Sequence, residues 1–436
     1  MLKNNKKIIL YHFIFGSLFI LLLIAPQISI GNLTGFKRNT LSLGFIPLLL
    51  WFMFSPREVV KSFRNIYSKE GLIIIAITIG VIRTFVLLEI VSTLYAVQFW
   101  FYALFSFLFF SNYFKIVVKK KQFSIPIKIL ILIGIIYASG CIISTFTGAI
   151  YPHQAGATGA YWGGIRIQKG VGFAESQNSA GVILSILLWL AIFLFSHHKI
   201  TKRWIISIII IGLGLFSTLS RGAIFSFILG SLIFLTLLLI RTLKTKYIKK
   251  FLFRKLLIIF VINITIFFSF ATISTILYPS YFVGILQGFG INNSQQVVYD
   301  ATQRSSAWSK GIKFWEKQGP INQLIGAGFR NSSHQDKNGL WHTPHNLYIS
   351  ILGDCGIIGL TIFIIILISI ITETGIKLLT QKRNIAINAF IFTSLISISI
   401  NNFSGPHIYS PVILTLFILV LSMSYIGKLT SKKLII

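Results

Sequence analysis

Thr361-Ile362-Phe363-Ile364-Ile365-Ile366-Leu367-Ile368-Ser369-Ile370-Ile371 and the run Ile205–Phe216 decide what kind of protein this is. Each is an almost unbroken series of large apolar side chains, with no period-two alternation that would point to a half-buried strand. About 20 such residues in a helix cross a bilayer core of about 30 Å. Working outward from these two runs, the same texture recurs along the chain, and 55% of its 436 residues are hydrophobic while only 11% are charged. A soluble chain of this length carries roughly 25% charged residues. The surplus of apolar residues therefore covers a lipid-facing surface rather than a larger core.

The apolar runs give twelve candidate spans: Ile8–Ile28, Leu41–Phe54, Leu72–Glu89, Leu94–Phe110, Pro126–Ser144, Ala180–Phe195, Trp204–Leu219, Ala223–Leu239, Leu256–Tyr278, Asn346–Ile371, Ile385–Ile400 and Pro411–Tyr425. The expected fold is an all-α, polytopic membrane helix bundle of about 12 transmembrane helices, a single integral membrane domain over 1–436. Leu41–Phe54 is short for a span and is expected to tilt or to pair tightly with its neighbour. The first run lacks a small-residue cleavage site, so it reads as a retained span.

The net charge of +31 first suggests nucleic acid. The placement of the charges argues otherwise. Most Lys and Arg lie in short loops between apolar runs, as in Arg241–Lys255 and Lys115–Lys121, where positive charge sets membrane orientation. Keeping those loops inside puts both termini in the cytoplasm and no nucleic acid among the partners. Cys141 and Cys355, the two cysteines, lie in apolar stretches and read as small core residues, with no disulfide framework and no zinc spacing.

In this orientation two outer loops are too long to be turns, 146–178 and 279–345. Long loops beside short ones carry function more often than not. In the second, Ala307–Trp315 repeats apolar residues at three- and four-residue steps (Trp308, Ile312, Trp315), which predicts an amphipathic helix on the membrane face or on the bundle.

The side chains on the outer face are mostly cationic: Arg166, Arg221, Arg304 and Arg330, with His334, His342 and His345. Arg221 sits between two spans with almost no loop, a costly depth unless it faces protein, water or an anion. A guanidinium fork matches two phosphate oxygens at once, and several at one membrane face would suit a lipid diphosphate. The plain alternative is that each Arg snorkels to lipid headgroups. His345 opens the span that begins at Asn346. An imidazole there, with a reference pKa near 6.5, can take a proton from an attacking hydroxyl at neutral pH, and a helix N-terminus favours its neutral form. The plain alternative is an interfacial or capping His. Carboxylates outside the cytoplasmic loops are few (Glu89, Glu175, Asp300, Glu316, Asp336, Asp354), so neither a glycosidase pair nor an acidic metal cluster is evident. The expected site takes no metal and no cofactor. Asp354 either orients His345 or serves a kink at Gly353 and Gly356, and Arg83 and Glu89 are expected to pair, with the lining of a cavity as the alternative.

Four segments, taken in order, resemble the O-antigen ligase and O-antigen polymerase family of bacterial membrane glycosyltransferases. They are Arg166-Ile167-Gln168-Lys169-Gly170 with Gln177-Asn178; Ser217-Thr218-Leu219-Ser220-Arg221-Gly222-Ala223; Arg304 to Trp308, trailed by Gly326-Ala327-Gly328; and Pro344-His345-Asn346-Leu347-Tyr348 with Gly356 and Gly359-Leu360. The resemblance implies transfer of a glycan from an undecaprenyl-diphosphate-linked oligosaccharide donor to a glycan or lipid A core acceptor, on the periplasmic face of the inner membrane and without a metal. It further implies other polysaccharide-assembly proteins as partners. It gives Arg221, Arg304 and Arg166 the diphosphate and His345 the acceptor hydroxyl, with His342 as the competing base. Asn346, Asp354 and Trp308 stand in support. Asp354 departs from the Glu common in the family, which shortens any bridge to the His. The polymerase reading is preferred over the ligase reading on the His-Asn and Gly-x-Gly segments. A transporter or flippase is the remaining alternative, weakened because its candidate acids, Glu89 and Asp354, lie outward of the membrane centre.

Overall fold

In the computed structural model the described residues are 2–23, 28–29, 40–41, 43–86, 90–147, 159–162, 165–168, 173, 176–195, 201–244, 294–328, 334–335, 341–342, 344–381, 384–403, 405 and 409–429. Among them the fold is all-α, with three short two-stranded ribbons in the connections. The helices are α1 (Leu2–Leu23), α2 (Phe45–Phe54), α3 (Pro56–Ser62), α4 (Leu72–Val86), α5 (Ile90–Lys119), α6 (Ser124–Thr147), α7 (Gln177–Leu190), α8 (Lys202–Ser217), α9 (Arg221–Lys244), α10 (Ser294–Glu316), α11 (Pro320–Ile325), α12 (Leu347–Thr380), α13 (Ile385–Asn401) and α14 (Pro411–Leu429).

Five of these are long and apolar enough to cross a membrane, or up to six if the bent pair Pro56–Tyr67 and Leu72–Thr84 is one span. Four shorter apolar helices, Lys7–Leu23, Phe45–Phe54, Ile385–Asn401 and Pro411–Tyr425, fall on further expected spans. The expected span Leu256–Tyr278 lies outside the described residues. Two boundaries differ from expectation in an instructive way. The helix over the expected span Leu94–Phe110 runs on to Lys119, and in this extension Lys115 donates to Asn65 Oδ1 at 2.8 Å. The helix within the long loop is 23 residues rather than the nine of the apolar repeat. Its first turns carry their large apolar residues consecutively, as Val297-Val298-Tyr299, so hydrophobic period alone could not reveal them.

The chain divides into two compact units. Residues 1–126, 304–374 and 399–435 form the first. Its core sets α1 and α2 against α5 through aromatic rings: Phe15 and Tyr113 stack at 4.8 Å, and Trp51 meets Phe109 edge-on at 5.4 Å. α14 lies along α5, and at one end Tyr425 OH and Lys115 Nζ share Asn65 Oδ1. Residues 127–303 and 375–398 form most of the second. There small residues let helices approach, as expected where packing rather than water drives association. Gly214 faces Ala138, and Gly181 faces Ala223 and Ser220. Trp189 Nε1 donates to Ser397 Oγ at 2.9 Å in the same unit.

Candidate functional site

The expected His-Asn motif is a helix entrance. Asn346 is the N-cap of α12: its side-chain Oδ1 accepts from the backbone N–H of Tyr348 at 2.9 Å and of Ile349 at 3.3 Å. This occupies two of the four N–H groups that a helix start leaves unpaired. Asn346 is buried for that purpose, while His345, one residue earlier, is exposed. His345 has φ +49, the left-handed region, so the chain turns sharply there and lifts the imidazole off the helix axis. The strain such a conformation costs a non-glycine residue, of order 1–3 kcal/mol, is commonly found at functional turns. His342 lies on the short strand Trp341–His342, whose antiparallel partner is His334–Gln335, with His334 opposite His342.

α10 docks on this turn through a glycine. A Cβ on Gly311 would meet Ile349 Cγ2 at 2.6 Å and Pro344 Cβ at 3.1 Å, so the α10 backbone rests on the residues flanking His345. Arg304, Trp308, Gly311 and Trp315 recur at helical steps of four, three and four, and so share one face of α10. Arg304 is therefore two helical turns, about 10 Å, from the contact beside His345 and on the same side. Arg304 is exposed, as are Lys310, Lys313 and Lys317, so the free surface of α10 is strongly basic. The expected apolar stripe is rotated: Ile312 is 39% exposed, and Gly311 occupies the seam instead. The period was right, but the tightest approach set the phase. The isolated glycine in an otherwise regular helix was the available signal.

The end of α10 is tied to α11. Trp315 Nε1 donates to Gln323 O at 3.0 Å, and Gln323 Nε2 donates to Glu316 O at 2.8 Å. α11 then leads into Gly326-Ala327-Gly328, which plugs a break in α12. At Gly356 the helix is interrupted, with φ +68 and ψ −175. Such a break robs carbonyls one turn earlier of their helical partners. The two affected carbonyls are taken up by the loop: Ala327 N–H donates to Gly353 O and Gly328 N–H to Asp354 O, both at 3.0 Å. The backbones approach so closely that a Cβ on Gly326 would lie 2.1 Å from Asp354 O, and one on Gly356 2.3 Å from Leu324 O.

Asp354 belongs to this break. It is fully buried, and its Oδ2 accepts from the Tyr409 hydroxyl at 2.8 Å. Seven helical steps, from Leu347 to Asp354, span about 10 Å. Asp354 thus lies at the kink expected around Gly353 and Gly356. Arg83 grips the same assembly: its guanidinium donates to Asn322 Oδ1 and, at 3.4 Å, to Gly326 O. The expected partner Glu89 lies outside the described residues. Nothing local in the sequence marks Tyr409 or Asn322 as partners, since both are remote in the chain from the groups they bind.

Arg221 and Arg166 belong to the other unit. Arg221 is the first residue of α9, behind a turn in which Leu219 has φ +50. Ser220 ends that turn: its Oγ donates to Asn178 Oδ1 at 3.0 Å and faces the Ala223 N–H at 3.4 Å. Two of the four expected segments, around Asn178 and around Arg221, thus meet side by side. Each forms a helix N-terminus, where partial positive charge favours anions. Arg166 lies on the ribbon of Gly159–Trp162 with Ile165–Gln168, opposite Tyr161. Arg330 lies outside the described residues. Among the described residues there is no cluster of three or more His, Cys, Asp or Glu that could hold a metal ion.

The O-antigen ligase family model matches residues 206–364. The resemblance read from the motifs holds over that stretch, which contains Arg221, Arg304, Trp308, His342, His345, Asn346 and Asp354. Arg166 and Asn178 precede it. A search of the curated proteins returns no match.

Proposed function

We propose, from the O-antigen ligase segment at 206–364, that this multi-pass membrane protein transfers a glycan from undecaprenyl diphosphate to an acceptor sugar. The reaction runs on the periplasmic face of the inner membrane, with both termini in the cytoplasm, and serves as the repeat-unit polymerase of a surface polysaccharide. The observation that carries this reading is the seating of α10 on the His345 turn through Gly311, with Arg304 on the same face of the helix. Arg304 then stands about 10 Å along α10 from the contact beside the base, on one platform. That spacing suits a sugar between the two groups and a diphosphate beyond it.

In this mechanism His345 removes the proton from an acceptor hydroxyl as its oxygen attacks the anomeric carbon of the donor sugar. The new glycosidic bond forms as the bond to the diphosphate breaks, and the lipid diphosphate leaves with the electron pair. Arg304, on the face of α10 that carries Trp308 and Gly311, stabilises the charge that develops on it. Arg221, at its helix N-terminus, and Arg166 take the same diphosphate role, and His342 is the alternative base. Asn346 holds the His345 turn, Trp308 lines it, and Asp354 keeps α12 in its broken form. The protein's residues supply this chemistry with no metal and no cofactor. The acid at the break favours an enzyme over a transporter, because the break's free carbonyls are closed by Ala327 and Gly328.

The test is the glycan profile of a deletion strain complemented with variants. His345→Ala and Arg304→Ala are each expected to abolish long-chain glycan at unchanged protein level. Wild-type chain length in both would overturn the mechanism. The deletion strain separates polymerase from ligase: a single repeat unit on lipid A marks a lost polymerase. Full-length glycan held on undecaprenyl diphosphate marks a lost ligase, with lipid A core as its acceptor.

A further inference from the structure

Two polar groups beside the His345 turn are buried with no hydrogen-bond partner. Asn402, just past the end of α13, is 1% exposed, and both its Nδ2 and Oδ1 are unpartnered. Its backbone places it: Asn402 O accepts the N–H of Leu347 at 2.8 Å, the first residue of α12 and two residues from His345. The neighbouring contacts close this corner firmly. Tyr348 OH donates to Ser399 O at 3.0 Å, and the Tyr348 and Phe403 rings lie 4.7 Å apart. The second group is Trp308 Nε1, also buried and unpartnered. It lies one turn before Gly311 on the face of α10 that rests on Pro344 and Ile349.

A buried amide with both ends unpaired is costly, and native proteins rarely leave one so. Chain packing does not account for Asn402, because a leucine of similar size would fill the same space without the penalty. The helix start beside it is already capped by Asn346, so Asn402 is not a displaced cap. Its unpaired groups also define what would satisfy them. Oδ1 needs a donor and Nδ2 needs an acceptor, while the indole of Trp308 needs an acceptor. A phosphate ionised at neutral pH offers acceptors alone and would leave Oδ1 unmatched. A sugar hydroxyl both donates and accepts, so one hydroxyl, or two neighbours on a ring, matches the amide.

We infer that Asn402 and Trp308 are saccharide-binding residues of the acceptor subsite, gripping ring hydroxyls of the sugar whose free hydroxyl His345 deprotonates. This deepens the proposed glycan transfer and rests on it. The ligand enters beside the exposed left-handed turn at His345, two residues before Leu347, whose N–H Asn402 O accepts. An internal water offers the same paired chemistry as a hydroxyl, and the experiment separates the two.

Full-length protein in lipid nanodiscs is assayed with the host's own lipid-linked donor. The acceptor is the oligosaccharide repeat unit released by mild acid from the host's surface polysaccharide. Asn402→Leu is expected to raise the KM for this acceptor about tenfold, the loss of roughly one good hydrogen bond, with kcat within about twofold. The melting temperature without saccharide is expected to match or exceed wild type, and the upward shift that saccharide gives wild type is expected to vanish. Trp308→Phe, which keeps the ring and deletes the N–H, reads the same subsite without touching α13 and is expected to raise the same KM. Acceptor KM unchanged in both variants means that water satisfies these groups, and overturns the inference while leaving the proposed transfer intact. Wild-type protein that neither binds the saccharide nor transfers glycan overturns the underlying reading and the inference together.

Discussion

Replacing Gly356 by alanine tests whether the broken helix is a built feature. Its φ of +68 with ψ −175 is a region open essentially to glycine alone, and a side chain there costs about 1–3 kcal/mol. The added Cβ would also sit 2.3 Å from Leu324 O, a backbone atom that cannot rotate away. The 326–328 loop must therefore lift, and the carbonyls of Gly353 and Asp354 lose the N–H groups of Ala327 and Gly328. Each buried carbonyl left bare costs about 1–3 kcal/mol. That cost opposes lifting in wild type and variant alike, so the change comes from the strain on the locked form, and a φ penalty of about 2 kcal/mol multiplies the population of the lifted state roughly thirtyfold. A built-in reporter reads that population, because Cys355 is buried beside the break and Cys141 is the other free thiol in the chain. Maleimide labelling in detergent is expected to accelerate at Cys355 by about that factor in Gly356→Ala, with Cys141 as the unchanged control. Gly319→Ala, where a Cβ meets nothing within 4 Å, is the neutral comparison. Wild-type labelling of Cys355 in Gly356→Ala would refute the lock.

Three further outcomes are expected. Gly311→Leu should push α10 off Pro344 and Ile349 and cut glycan transfer at least about tenfold, a loss of 1.4 kcal/mol in transition-state stabilisation, with Arg304 and His345 both intact. Lys310→Ala, on the exposed side of the same helix, should leave chain length near normal on a gel. Asn346→Ala should lose the cap of α12 and about 1 kcal/mol of stability, seen as a lower melting temperature, whereas Asn346→Ser should retain most of it.

What the sequence made legible was local, and what it hid was remote. Apolar runs announce helices because the bilayer demands internal hydrogen bonding, so eleven of the fourteen described helices overlap an expected span. The His-Asn pair could be placed at a helix entrance because capping is settled within four residues, and Asn346 does cap. The role of Asp354 stayed open for the opposite reason. Its kink needs a glycine on a loop some thirty residues upstream, its hydroxyl donor is Tyr409, and the loop is gripped by Arg83 from an early helix. No periodicity reports such pairings. The glycines were visible as a Gly-x-Gly and a Gly-rich helix, but only the fold shows that they are two halves of one contact. Asn402 was the least legible, since it lies outside the matched segment and at the end of a span, where a polar residue excites no notice. Its significance is physical rather than positional. An amide in water at a helix end is unremarked, but the same amide at 1% exposure with both ends unpaired demands a ligand or a water. Burial, which sequence gives only on average, turns that residue from punctuation into a candidate contact with the sugar.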